Sequence, residues 1–206
     1  MLVHLAWSRG RRHHSPERPP VLHPHDSLWA ARAEDQLQAL RRALIPLVPD
    51  LAACSFDHIG STAVPGLASK PVVDLQVRLP ALPETAALDR ALAPLGWEPA
   101  RGSRPDSPGV THDLPTPGDH EPACVWAKQL YTSTDPAQRG ILHVRLSASP
   151  FGRRTVAFRD RLRAEPELRR AYEQLKTELA AEHAEDRDYD DYTRGKTTFV
   201  QGSSTQ

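Results

Sequence analysis

Between His58 and Val77 the chain reads HIGSTAVPGLASKPVVDLQV, and its residue types suggest phosphate chemistry. Gly60 and Ser61, at the end of a strand-like run, can offer backbone amides and a hydroxyl to an anion, because glycine permits close approach and strained dihedrals. Taken alone, such a turn is a weak signal. Asp74 follows inside an apolar run, where an unpaired carboxylate costs on the order of several kcal/mol. It therefore calls for a cation or a metal. The plain alternative is that Asp74 pairs with Lys70 or an arginine and fastens a strand to a helix.

These residues need elements to position them. Ser55 to Ile59 reads as a short strand ending in Gly60-Ser61, and Pro71 to Val77 as a second strand. Upstream, Ser27 is placed to cap a helix in which Trp29, Ala33, Leu37, Leu40 and Leu44 recur at helical spacing until Pro46. Leu88, Leu92 and Leu95 mark a helix from about Glu84 that Gly96 closes. Prolines and glycines crowd residues 99–122, which read as a long surface loop, either a lid or disordered. Ala123 to Thr132 and Ile141 to Ser147 are strand candidates, joined closely enough to pair antiparallel. On the second, His143, Arg145 and Ser147 share one face and Leu142, Val144 and Leu146 the other. Ser149-Pro150 starts a helix with Phe151, Thr155, Phe158 and Leu162 on one stripe. Pro166 starts another, where Leu168, Tyr172, Leu175 and Leu179 read as core or a dimer face, with no ligand.

Composition bounds the class. A chain of 206 residues suits one domain with its own core. Lys plus Arg and Asp plus Glu are equal at 26 each, so no global field draws the molecule to nucleic acid or an anionic membrane, and any anion site must be local. Basic and aromatic residues do not interleave, which gives nucleic acid no further support. No apolar run is long enough to span a membrane, and Cys54 and Cys124 are too few for a disulfide framework, so a cytoplasmic setting with two inert thiols is expected. Residues 1–20 read as a loose basic extension, 21–200 as the folded domain and 201–206 as a flexible tail.

The turn and the acid together resemble the core of the nucleotidyltransferase superfamily, in which a Gly-Ser turn precedes a strand bearing metal-binding acids. More closely, HIGSTAVPGLASKPVVDLQV, the early Trp29, LHVRL, FRDRLRAEPELRRAYEQLK and the closing YTRGKTTFV resemble, in order, the motifs of the GrpB family. That family is also labelled UPF0157 or dephospho-CoA kinase/protein folding accessory domain. The resemblance covers about Val21 to Val200. It implies an α/β (α+β) fold: a nucleotidyltransferase-like mixed sheet flanked by helices, with C-terminal helices. Its family activity is largely uncharacterised.

The resemblance also implies a site. Gly60, Ser61 and Thr62 would cradle phosphate and Asp74 would ligate Mg²⁺ as the catalytic metal. Lys70, Arg145, Arg159, Tyr192 and Lys196, all on matching motifs, would bind the substrate anion, and His143 would orient substrate or move a proton. The ligand would be a nucleoside triphosphate or another phosphorylated small molecule. In the superfamily a second acid stands two residues after the first; here that position is Gln76, whose amide oxygen adds no negative charge, and LHVRL holds no acid. Two readings follow: a nucleotidyltransferase-type enzyme, or an anion-binding accessory module that has lost catalysis and assists a CoA-related metabolic enzyme. For His143, a hydrogen-bonded sheet histidine is the equal alternative. Tyr192 and Lys196 by default are a structural tyrosine and an exposed lysine.

Overall fold

The structure, a computed structural model, describes residues 21–101, 109–186 and 190–202. The basic extension, the tip of the Pro-rich loop and the last four residues lie outside them. Helix α1 (Leu28–Leu44) buries Trp29, Ala33, Leu37, Leu40 and Leu44, the stripe expected from their spacing. Its cap differs from expectation. Ser27 makes no side-chain cap because its own backbone is already helical (φ −60°, ψ −21°), and Asp26 Oδ1 instead accepts from Leu28 N at 2.9 Å.

Strands β1 (Ser55–Ile59), β2 (Val73–Leu79), β3 (Trp97–Pro99), β4 (Lys128–Ser133) and β5 (Gly140–Leu146) form one sheet in the order β1-β2-β5-β4-β3. Only β2 and β5 run parallel among its neighbouring pairs, so the sheet is mixed. Strand alternation then sorts the side chains. Val73, Leu75, Val77 and Leu79 of β2 join Leu142 and Val144 of β5 in the main core under α1 and α2 (Thr85–Leu92). Asp74, Gln76, His143 and Arg145 are thereby sent to the opposite face.

On that face lies α3 (Pro150–Ala164), started by Ser149, whose hydroxyl accepts from Gly152 N at 3.1 Å. Gly152 lets α3 settle close to the sheet: a Cβ there would stand 3.0 Å from Arg78 Cδ and 3.4 Å from Gln76 Oε1. α4 (Pro166–Glu182) packs beside it, and Phe158, Leu162 and Tyr172 build a second core with Val64 and Leu67. Two short helices, α5 (Asp190–Gly195) and α6 (Thr197–Gly202), complete the chain. Phe199 and Val200 of α6 pack on that second core. α6 thus runs two residues into the stretch expected to be a tail.

Three expectations are corrected. Strand β2 begins at Val73 rather than Pro71, because Pro71 has no amide and Val72 N turns back to Lys70 O at 2.8 Å. Ala123–Trp126 is a 3-10 turn, Val125 N bonding Pro122 O at 3.1 Å, and the strand starts only at Lys128. The described part of the Pro-rich segment is no loose surface loop. Asp113 is 3% exposed, its amide bonds Trp126 O at 2.8 Å, and Asp119 holds Arg154 through two contacts of 2.7 and 2.9 Å. A buried carboxylate, Asp113, and a part-buried one, Asp119, each held by an arginine, pull this segment onto the fold. Both cysteines are free, and among the described residues no helix is long and apolar enough to cross a membrane.

Candidate anion pocket

The antiparallel register of β1 and β2 pairs Ile59 with Asp74, so the turn that follows β1 must lie beside the acid. Gly60 takes φ 71°, ψ −172°, and a Cβ on it would stand 2.3 Å from Asp74 Oδ2. Only glycine leaves room for the carboxylate here. Ser61 opens a 3-10 turn, and nearby Tyr172 has its phenol pushed up to about 12 by burial. Thr62 turns away from the pocket: its Oγ1 lies 3.0 Å from His58 Nε2 and 3.4 Å from Val72 O.

Three ammonium groups reach this corner from three segments. Lys70 comes from the loop before β2, and its Nζ lies 5.0 Å from the centre of the Tyr192 ring. Lys196, in the turn between α5 and α6, places its Nζ 4.2 Å from the same ring centre. Lys176 of α4 donates to Ala68 O, while Glu173 accepts from Ala68 N at 2.9 Å, so α4 grips the loop carrying Lys70. Tyr192 is buried; Lys70, Asp74 and Lys196 are half-buried.

The electrostatics show crowded positive charge. Burial and the neighbouring Lys196 lower Lys70 to about 7, and the same pair of causes lowers Lys176 to about 7. Burial lowers Lys196 to about 8 against the pull of Asp74. Asp74 is raised to about 6 by burial, opposed by Lys70, Lys196 and Arg145. Among the described residues it makes no ion pair within 4.0 Å. A multiply charged anion would relieve the repulsion among the lysines.

One pleat further along β2 the arrangement is closed. Gln76 is fully buried; its Nε2 donates to Gly152 O at 3.0 Å, and its Oε1 accepts from Arg145 Nη1 at 2.8 Å and Thr155 Oγ1 at 3.1 Å. Arg145 gives its Nε and Nη2 to Asp113 at 2.6 and 2.9 Å. Lys128 lies 3.1 Å from Asp113 and donates to His143 Nδ1 at 3.4 Å. Burial, with Arg145 and Lys128 close by, drops His143 well below its ordinary range, so the ring is neutral. Arg159 stands elsewhere, donating to His58 O at 2.8 Å and pairing with Asp160 at 2.8 Å. A separate cavity of about 190 Å³ beside Trp97, Asp35 and Asp135 shares no lining residue with the lysine corner.

The structure thus gathers Gly60, Ser61, Lys70, Asp74, Tyr192 and Lys196 in one corner. Arg145 and His143 sit in the hub around Gln76, Arg159 ties α3 to β1, and Thr62 faces inward. Lys176, Tyr172 and Asp113 were not singled out for the site from the sequence. Lys176 left a trace there: it follows Tyr172 by four residues and precedes Leu179 by three, a lysine within an apolar stripe. Mg²⁺ fits poorly. The oxygen of Gln76 already accepts two hydrogen bonds, Asp74 stands among cations, and no group of three or more candidate metal ligands exists among the described residues.

Comparison with known proteins agrees with this architecture. Residues 19–205 match the family described as GrpB protein. The chain is 30% identical over 198 residues to a UPF0157 protein of Deinococcus radiodurans, covering 96% of this chain and 87% of that one. It is 32% identical over 191 residues to a dephospho-CoA kinase of Mycolicibacterium paratuberculosis, covering 87% of this chain but spanning only 44% of that protein. The crystal structure of the conserved protein GrpB from Enterococcus faecalis superposes with a TM-score of 0.64 at 23% identity, over 89% of this chain and 94% of that one. At that identity the likeness concerns the fold.

Proposed function

The chain belongs to the GrpB family, and on that premise and the geometry of the lysine corner we propose that it binds the phosphate groups of a phosphorylated small molecule, such as a nucleotide or a CoA precursor. One observation carries this reading: Lys70 and Lys196, from two separate segments, meet Asp74 beside the Gly60-Ser61 turn, and Lys176 of a third segment stands close enough to Lys196 to be repelled by it. Lysines brought together at such electrostatic cost suit a ligand of opposite charge. The dephospho-CoA kinase relative, only part of which corresponds to this chain, makes a CoA-related phosphate ligand the first to try.

Of the two roles open to such a pocket, the closed hub around Gln76 favours a binding module. Transfer at phosphorus is the second reading, favoured by Asp74, which is raised to about 6 and suited to take a proton from an attacking hydroxyl. Calorimetry with ATP, GTP, CTP, pyrophosphate and dephospho-CoA tests the binding. We expect binding in the native chain and its loss in Lys70→Met; no binding by any of these would overturn the reading. Release of pyrophosphate from labelled triphosphates then decides between the two roles.

A further inference from the structure

Resting on the phosphate-binding reading, we infer that this pocket takes its anion without a divalent cation, the ammonium groups of Lys70, Lys176 and Lys196 supplying the positive charge themselves. The surroundings of Asp74 do not suit a metal. On the same face of the sheet, the next inward positions are Asp57 on β1, held by Arg78 and Arg159, Gln76 on β2, and His143 and Arg145 on β5. Each is already tied to a cation or is one. Arg145 donates to Gln76 Oε1, and Lys128 donates to His143 Nδ1. A magnesium ion seeking oxygen or nitrogen ligands beside Asp74 would meet guanidinium and ammonium groups instead.

The lysines, in turn, are already held. Lys70 and Lys196 both lie against the Tyr192 ring, and Lys176 lies over the Tyr172 ring at 5.2 Å and is anchored on Ala68 O. Two buried aromatic rings and a backbone carbonyl fix three positive charges in place before any ligand arrives. That is preorganisation of the sort a metal supplies when protein ligands hold it. Asp74 then has a different part from that of a metal ligand. It moderates the repulsion among the lysines, and an incoming anion must be accommodated beside its negative charge.

This gives opposite signs for the two cases. If Asp74 holds a metal, neutralising it destroys binding; if it is a negative charge facing the anion within a lysine cradle, neutralising it strengthens binding. Asp74→Asn keeps the shape that fits over Gly60, so the substitution tests charge rather than packing. The experiment is calorimetric titration of pyrophosphate near neutral pH into native chain, Asp74→Asn and Lys196→Met, each in EDTA and in excess MgCl₂, with thermal melts confirming that the variants fold. We expect binding in EDTA, weakened by MgCl₂ because the metal masks the ligand's charge. Asp74→Asn should bind about tenfold more tightly and Lys196→Met about tenfold more weakly, the size of one unit-charge interaction across roughly 6 Å at a part-solvated dielectric. Binding that requires MgCl₂, or that Asp74→Asn leaves unchanged or weakens in EDTA, would overturn the inference while leaving a phosphate pocket. Absence of pyrophosphate binding under both conditions would overturn the phosphate reading along with it.

Discussion

Asp74 and Gln76 are two residues apart on one strand and project from one face, yet they sit in opposite kinds of surroundings. Around Gln76 the buried charge is matched: Arg145 is divided between Asp113 and Gln76, and the amide of Gln76 both donates and accepts. Around Asp74 positive groups crowd together: burial lowers all three lysines, and Lys196 lowers Lys70 and Lys176 further. The first region is a fastening, in which charge is buried because it is matched. The second holds mismatched charge at the surface of the core, as sites that await a ligand do. The difference teaches that position on a strand does not by itself decide which polar residue does chemistry.

The comparison can be broken most forcefully at Asp113. Removing it in Asp113→Ala leaves Arg145, 1% exposed, without its main counter-charge, and should cost about 3–5 kcal/mol in urea unfolding. A loss no larger than that of Asp74→Asn would erase the distinction between the regions. Gly60→Ala comes next. It combines a backbone at φ 71° with a Cβ placed 2.3 Å from Asp74 Oδ2, and should cost about 1–3 kcal/mol while abolishing pyrophosphate binding, read by calorimetry on the same preparation.

pH sharpens the contrast. Lys70 and Lys176, lowered to about 7, and Lys196, lowered to about 8, release protons in the folded chain well below the roughly 10.4 of unfolded lysine. The unfolded state therefore holds more protons between these values, and stability from these groups rises as pH climbs from about 7 towards about 10, by about 1.4 kcal/mol per pH unit for each full proton of difference. Asp113, held below the usual carboxylate range by Arg145 and Lys128 despite its burial, has the same sign in a more acidic window. Its contribution is present at neutral pH and lost as pH falls through its folded value. Melting curves across pH in phosphate-free buffer should show the alkaline rise, and saturating pyrophosphate should flatten it. The smallest effect belongs to Thr155→Ala, which deletes one of the two hydrogen bonds on Gln76 Oε1. It should cost about 0.5–1.5 kcal/mol and leave pyrophosphate affinity unchanged.

Much of this was readable before the fold. Apolar alternation put Val73, Leu75 and Val77 inside and Asp74 and Gln76 together on the other face, because a strand has period two whatever its neighbours. The closeness of Gly60 to Asp74 follows from two short strands joined by a loop. Other features were misread for identifiable reasons. Proline and glycine density made residues 109–122 look loose, since composition reports backbone preference and not the arginines that Asp113 and Asp119 would find. Arg145 and Arg159 matched family motifs and suggested anion binding, but their guanidinium groups meet Asp113, Gln76, His58 O and Asp160 instead. The stripe of α4 was read as core or a dimer face with no ligand, which hid Lys176.

What the sequence by itself determined is local: the helix stripes, the strand alternation, and a turn where glycine alone tolerates both the dihedral and the neighbouring carboxylate. Only the tertiary structure decided which polar residues are spent and which stand ready. Arg145 meets an acid 32 positions away, and Lys176 meets a carbonyl 108 positions away. Short-range preferences arise from each residue's own sterics and rotamers, whereas the pairing of buried charges depends on which distant segment arrives beside them.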